Sequence, residues 1–309
     1  MQEWLNLLPQ TLINGLTLGS VYALIALGYS MVYGILKLLN FAHGDIYMIG
    51  AYLGYGVYLL FNADEVALIP TALVIVIMLV VAMVGAGLVS VGVERFAYRP
   101  LRYAPRLAPL ISALGVSFVL QNLMQIIAGP RPLSIGSGKL IPTSASVAFG
   151  GANIHLSRLL IIGVALILML ALTYFVQRTR LGRAMRAVAM DLDAAQMMGV
   201  NVNQVIVVTF FIGALLAGAA GVLVGIVFFS IRHTMGFLAG LKGFTAAVVG
   251  GIGSIPGALL GGLLLGLAES FTAVYISVTF NDAVAFMLLV FILLVRPNGL
   301  LGKALVQKV

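Results

Sequence analysis

The chain has 309 residues, of which 62% are hydrophobic and 8% charged, with no cysteine and a formal net charge of +8; its mean hydropathy is +1.15. A soluble domain carries about 25% charged residues, so water is excluded as the main solvent, and the lack of cysteine removes disulfides, thiolate metal sites and cysteine nucleophiles. The basic surplus clusters beside apolar runs and not on a solvated face with base-reading side chains, so it speaks for membrane orientation and against nucleic-acid binding.

Apolar segments near the length that crosses a bilayer as a helix fall at about residues 11–35, 46–61, 66–92, 107–128, 158–177, 205–229, 240–252, 255–270 and 283–296. Runs such as 159–176 and 205–229 are continuously apolar and do not alternate, which favours helices over a β-barrel. The expected fold is an all-α integral membrane protein: one polytopic helical bundle over residues 1–309. Residues 1–10 contain an acidic side chain and no basic region, so the first apolar run is expected to remain in the mature protein.

After the first segment comes the run 39–45, Leu-Asn-Phe-Ala-His-Gly-Asp, which sets an imidazole and a carboxylate two residues apart between two membrane segments. Ionisable groups at that depth face a cavity or pair with one another. Asn40 or Asp45 would cap a helix starting near Ile46, either with its free N–H groups toward a pathway or as a plain surface cap. One His and one Asp are too few for a metal.

The connection 94–106 carries Arg95, Arg99, Arg102 and Arg106, and the connection 178–204 carries Arg178, Arg180, Arg183 and Arg186; both should be cytoplasmic. The Pro-, Gly- and Ser-rich loop 129–157 is then external, and nine crossings would put the N-terminus outside. Between them, Gln121 and Gln125 are one turn apart and suit either a pathway lining or a helix-to-helix hydrogen bond. Gly136-Ser-Gly-Lys139 resembles a phosphate loop only superficially, since Leu133 and Leu140 stand where a Gly and a Ser or Thr are required.

In the segment 178–204, Met185, Val188, Ala189, Leu192 and Met197 recur mostly every three or four residues, which predicts a short amphipathic helix outside the bilayer. Asp191 or Asp193 would cap a second turn and Gly199 would stop it. Such a helix lies on lipid or docks in a partner's groove. Further on, Gly213, Gly218, Gly221 and Gly225 predict close helix packing. The Gly-rich run 244–257, ended by Pro256, predicts an unwound stretch lining a pathway or a tight hairpin. Lys242 and Glu269 are expected to pair structurally across this region.

An interrupted pattern recurs: a Gly-bearing helix over 14–33 precedes a broken segment at 37–54, and 213–229 precedes another at 235–257. Half-repeats of about 1–130 and 200–309 would start on opposite sides of the membrane, an inverted repeat with broken or re-entrant helices.

The runs 14–24 (NGLTLGSVYAL), 39–45 (LNFAHGD), 181–186 (LGRAMR) and 244–257 (FTAAVVGGIGSIPG) together resemble the branched-chain amino acid ABC permeases of the LivH type, essentially end to end. The resemblance implies a non-enzymatic inner-membrane subunit that binds no cofactor of its own. A second related permease, two cytoplasmic ATPases holding Mg-ATP and an extracytoplasmic solute-binding protein would complete the importer. It also implies that the segment after Arg178 is the helix docking on an ATPase, with Arg183, Met185, Arg186, Val188, Ala189, Ala194, Ala195, Met198 and Gly199 as coupling candidates. Candidate pathway residues are Asn40, His43, Asp45, Gln121, Gln125, Thr245, Gly250, Gly251 and Ser254. Related permeases carry other amino acids, short amides or urea. Two other classes fit the residues less fully: an ion-coupled carrier using Asp45, Glu269 or His43, and an intramembrane enzyme using His43 and Asp45.

Overall fold

A computed structural model describes residues 2–62, 70–102, 104–105, 107–135, 140–142, 145–149 and 152–302. The order is α1 (Gln2–Leu36), α2 (His43–Asn62), α3 (Thr71–Val93), α4 (Leu107–Ala128), β1 (Ser146–Phe149), β2 (Ala152–His155), α5 (Leu156–Arg178), α6 (Arg180–Met190), α7 (Leu192–Met197), α8 (Val202–Phe228), α9 (Met235–Gly250), α10 (Ile255–Tyr275) and α11 (Asn281–Val295). Among the described residues, seven helices are long and apolar enough to cross a membrane: α1, α3, α4, α5, α8, α10 and α11. Helices α2 and α9 lie among them, so each of the nine expected segments is helical.

Close approach of small residues sets the packing. Along α1, Val21, Ala23, Leu24, Ile25, Ala26 and Leu27 are buried, and α1 runs antiparallel to α10 with Gly15 against Gly266 and Leu267, Gly19 against Leu263, and Ala23 against Gly262. Helix α8 runs antiparallel to α3 in the same manner: Gly218 lies on Ala82 and Ala86, Gly87 on Phe211, and the Ser90 hydroxyl donates to the Phe210 carbonyl at 3.1 Å. Without a hydrophobic force between helices in lipid, such backbone proximity supplies the attraction through dispersion.

Helices α1 and α8 are each followed by a non-helical connection of equal length, 37–42 and 229–234. Each connection begins with a left-handed residue, Lys37 (φ 54°) or Phe229 (φ 52°), and these two are the described non-glycine residues with positive φ. Helices α2 and α9 then start against each other, with Gly44 on Gly236 and Gly240.

The ends of the bundle are distinct. One end gathers Leu36, Leu38, Arg102, Ala104, Leu192, Gln196 and Asn201 around a shared cavity of about 520 Å³, and the α9–α10 turn packs there through Gly253 on Gly34. This end carries both basic connections, the arrangement that the positive-inside rule associates with a cytoplasmic face. At the opposite end Gln10 accepts from the Asn153 backbone at 3.1 Å, Arg158 donates to Asn14, and the Ser270 hydroxyl donates to the Thr11 carbonyl at 2.8 Å.

Two features depart from the sequence expectation. The external loop holds a short antiparallel hairpin, β1 on β2, with Ser146 opposite His155 and Val147 opposite Ile154. The connection 94–106 is not a simple loop, because α3 continues through a π turn (Glu94–Tyr98) and a 3-10 turn (Arg99–Leu101). Across these turns buried Glu94 pairs with Arg99 at 3.2 Å and with Arg102. Arg106 and the 136–139 run lie outside the described residues.

Candidate translocation pathway and coupling surface

The connection 37–42 does not stay at the surface. His43 packs against Gly28, where an added methyl would strike its imidazole, and Gly28 lies roughly 12 Å along α1 from Leu36. The chain thus re-enters the bundle and starts α2 at depth. The first turn is held by backbone: the Asn40 carbonyl accepts from His43, and the Ala42 carbonyl accepts from Asp45 and Ile46, each at 3.1 Å.

The capping role expected for Asn40 or Asp45 is not what the structure shows. Asn40 Oδ1 accepts from the Tyr98 hydroxyl at 2.9 Å, which ties the re-entrant segment to the π turn. Asp45 lies within the first turn of α2, and its Oδ2 accepts from the Ser117 hydroxyl of α4, itself the acceptor of the Gln121 amide at 3.1 Å. A chain of amide, hydroxyl and carboxylate therefore leads from α4 to the start of α2. His43 meets Tyr29 edge to face at 4.8 Å.

Several polar atoms here are buried without a protein partner: Asn40 Nδ2, His43 Nε2, Asp45 Oδ1 and, on α9, Thr245 Oγ1. Leaving such groups unpaired costs about 1–3 kcal/mol each. Asn40, His43, Asp45 and Gln121 are brought together. Gln125 continues the same helix on its exposed side. Gly250, Gly251 and Ser254 sit elsewhere, at the far end of α9, roughly 20 Å along it from the Gly236 that touches Asp45.

That far end is a tight hairpin. Gly251 (φ 108°) and Gly253 (φ 87°) make the turn, and Ser254 caps α10 by accepting from the Gly257 amide at 3.2 Å. The C-terminal stretch seals it, with Leu300 and Leu301 N–H donating to the Val249 and Gly250 carbonyls at 3.0 and 2.8 Å. Of the two readings open for 244–257, the hairpin is the observed one, and its backbone is satisfied by chain instead of lining a cavity.

Lys242 and Glu269 pair at 3.0 Å as expected, and the structure adds two partners. The Tyr22 hydroxyl donates to Glu269 at 2.8 Å, and Lys242 also reaches Asp282 of α11 at 2.7 Å. This network joins α1, α9, α10 and α11.

At the end that carries the basic connections the amphipathic segment forms two helices and not one. Thr179 caps α6 by accepting from the Gly182 amide at 3.0 Å, and Asp191 caps α7 by accepting from the Ala194 amide at 3.0 Å. Gly199 (φ 81°) ends the segment. Met185, Val188 and Ala195 are buried in the main core and anchor the pair to the bundle. Ala189 and Ala194 are half-buried, while Arg183, Arg186, Met198 and Gly199 are exposed, Arg186 being tied back to the Val176 carbonyl. The sequence reading missed Met190, which with Met197 and Met198 is more than 80% exposed. It also missed Tyr98 and Ser117; Ser117 lies one turn before Gln121 on α4, a spacing that offered the signal.

Comparison with known proteins identifies the family of the chain. The family described as branched-chain amino acid transport system / permease component matches residues 11–293. The high-affinity branched-chain amino acid transport system permease protein BraD of Pseudomonas aeruginosa is 46% identical over 306 residues, 97% of each chain. LivH of Escherichia coli is 45% identical over 313 residues, covering both chains fully, and a probable LivH of Methanocaldococcus jannaschii is 26% identical over 92% of this chain and 89% of its own. The chain belongs to the branched-chain amino acid permease family, and it is a multi-pass inner-membrane transport component.

Proposed function

We propose that this permease is the gate and conduit of an ATP-binding-cassette importer for branched-chain or other hydrophobic amino acids. In this reading a second, related permease stands beside it, two cytoplasmic ATPases hydrolyse Mg-ATP, and an extracytoplasmic binding protein delivers the solute. The chain itself performs no covalent chemistry. The observation that carries the reading is the α6–α7 pair: its inner face is anchored in the core by Met185, Val188 and Ala195, and its outer face presents Met190, Met197 and Met198 to the cytoplasm. Flexible thioethers suit a protein-binding surface, and their cost in water makes a docked partner the natural cover.

Motion of α7 has a short route to the membrane interior. Leu192, Gln196 and Gly199 wall the same cavity as Leu36 and Leu38, and Leu38 lies in the re-entrant connection that positions Asn40, His43 and Asp45. An ATPase closing on ATP would shift α7 against this connection and alter the packing of the α2 start, giving alternating access. The matched connections at 37–42 and 229–234, and the pairing of α1 with α10 and α8 with α3, support an inverted repeat of α1–α4 and α8–α11 whose axis passes near Gly44 and Gly236.

The test is affinity copurification of the tagged chain in mild detergent, with mass spectrometry and an ATPase assay. Recovery of a second permease and two nucleotide-binding subunits supports the proposal. Recovery of a chain that alone transports in liposomes without ATP refutes it in favour of an ion-coupled carrier.

A further inference from the structure

The start of α2 carries a carboxylate that the chain leaves half satisfied. Asp45 is 0% exposed. Its Oδ2 accepts from the Ser117 hydroxyl, while its Oδ1 is buried without a hydrogen-bond partner. Among the described residues the ion pairs join Glu94 to Arg99 and Arg102, and Lys242 to Glu269 and Asp282, so none reaches Asp45. Lys242 stands on α9 roughly 9 Å along the helix from Gly236 and is already held between its two carboxylates. The other polar side chains about the α2 start are Tyr29 of α1, His43 of α2, and Ser117 and Gln121 of α4, none of them a lysine or arginine.

The unpartnered oxygen has a defined direction. A methyl added at Gly236 would stand 2.7 Å from Asp45 Oδ1 and 2.7 Å from the Gly44 carbonyl oxygen, and one added at Gly44 would strike the Gly236 carbonyl. Oδ1 therefore lies in the seam where the starts of α2 and α9 touch, and glycine on the α9 side leaves it uncovered by any side chain of that turn. Parting of the two starts would expose this oxygen. The positive end of α2 offsets part of the carboxylate's charge, yet an ionised group buried with one donor and no cation remains costly. What the geometry lacks is a cation that arrives through the seam.

We infer that Asp45 is the ammonium receptor of the pathway. When the α2 and α9 starts part, Oδ1 accepts a charge-assisted hydrogen bond from the α-ammonium group of the passing amino acid; when Gly44 closes again on Gly236, no room for that group is left and the solute is released. The inference rests on the importer reading above and deepens it by naming the side chain that recognises the solute within the membrane.

The chain has no cysteine, so Asp45→Cys offers one site of alkylation in this subunit. The complete complex carrying it, reconstituted with Mg-ATP enclosed and binding protein outside, is treated during turnover with iodoacetate or iodoacetamide. Labelling is followed by mass spectrometry, with the parent complex treated alike to control for the partner subunits. The two products differ in bearing a carboxylate or an amide of the same size. The carboxymethyl product is expected to take up leucine at least about tenfold faster than the carbamidomethyl one, a margin of about 1.4 kcal/mol. Asp45→Asn, which keeps an acceptor for Ser117, is expected to reach the parent's level in the membrane and to lose uptake by a similar factor. Equal uptake by the two alkylated products, or parent-like uptake by Asp45→Asn, would overturn the inference and leave Asp45 a structural acceptor completed by a buried water. Absence of labelling at position 45 during turnover would overturn it as well, because the seam would then stay shut. Exchange of sodium and potassium for N-methylglucamine should leave uptake by the parent complex unchanged; its loss would assign the carboxylate to an alkali cation instead. The carboxylate-to-amide ratio reads the same whatever drives transport, so uptake that needs no ATP would sink the importer reading alone.

Discussion

Replacing Lys242 by Met removes the cation that satisfies Glu269. Glu269 is 2% exposed and would be left with the Tyr22 hydroxyl alone. Breaking one side of a buried ion pair costs about 3–5 kcal/mol, and the lower end applies because Lys242 keeps 13% exposure and spends part of its charge on Asp282, which is half exposed. A cost of about 3 kcal/mol corresponds to a fall of roughly 6–10 °C in the unfolding midpoint of the detergent-solubilised chain. The double variant Lys242→Met with Glu269→Leu leaves no buried charge unpaired and should recover most of that loss, since apolar replacement of a whole buried pair is often neutral. Asp282→Ala should cost less than about 1 kcal/mol. Midpoints from a thermal scan by intrinsic fluorescence, at one scan rate, give the cycle. A double variant as unstable as the sum of the two singles would refute the reasoning, as would a Lys242→Met chain no less stable than the parent.

Met197→Asp combined with Met198→Asp should leave the fold intact and release the ATPases, whereas Ala195→Arg should lower accumulation of the chain itself, because Ala195 is buried; copurification yield against membrane level separates the two. Ser117→Ala removes the hydroxyl that donates to the buried Asp45 carboxylate and should destabilise by about 1–3 kcal/mol, while Ser117→Ala with Asp45→Leu should refold but not restore solute uptake. Gly266→Ala drives a methyl onto the Gly19 backbone and to 2.6 Å from the Gly15 carbonyl, so membrane accumulation should collapse. Gly163→Ala, with open space around it, should be neutral in the same blot.

The membrane segments were legible because apolar length alone specifies a spanning helix, and the α7 cap because Asp191 precedes free N–H groups in the usual way; the Thr179 cap of α6 was not read from the sequence. What periodicity could not supply was depth. Nothing in 39–45 says that the connection dives back toward Gly28, since that follows from a glycine on another helix making room for His43. Tyr98 and Ser117 were overlooked for the same reason: their partners Asn40 and Asp45 are distant in sequence. The 244–257 run misled in part because glycines that permit unwinding also permit a tight hairpin, and only the C-terminal stretch bonding to Val249 and Gly250 decides between them. The β hairpin escaped because its strands are short and sit in a loop read for composition.

The most direct test of the importer account is uptake of radiolabelled leucine into proteoliposomes holding the purified complex, with binding protein outside and Mg-ATP enclosed. The account predicts accumulation that needs both ATP and binding protein, persists with an ionophore present, and is lost with the Met197→Asp and Met198→Asp variant. Uptake that proceeds without enclosed ATP and collapses with the ionophore would contradict it.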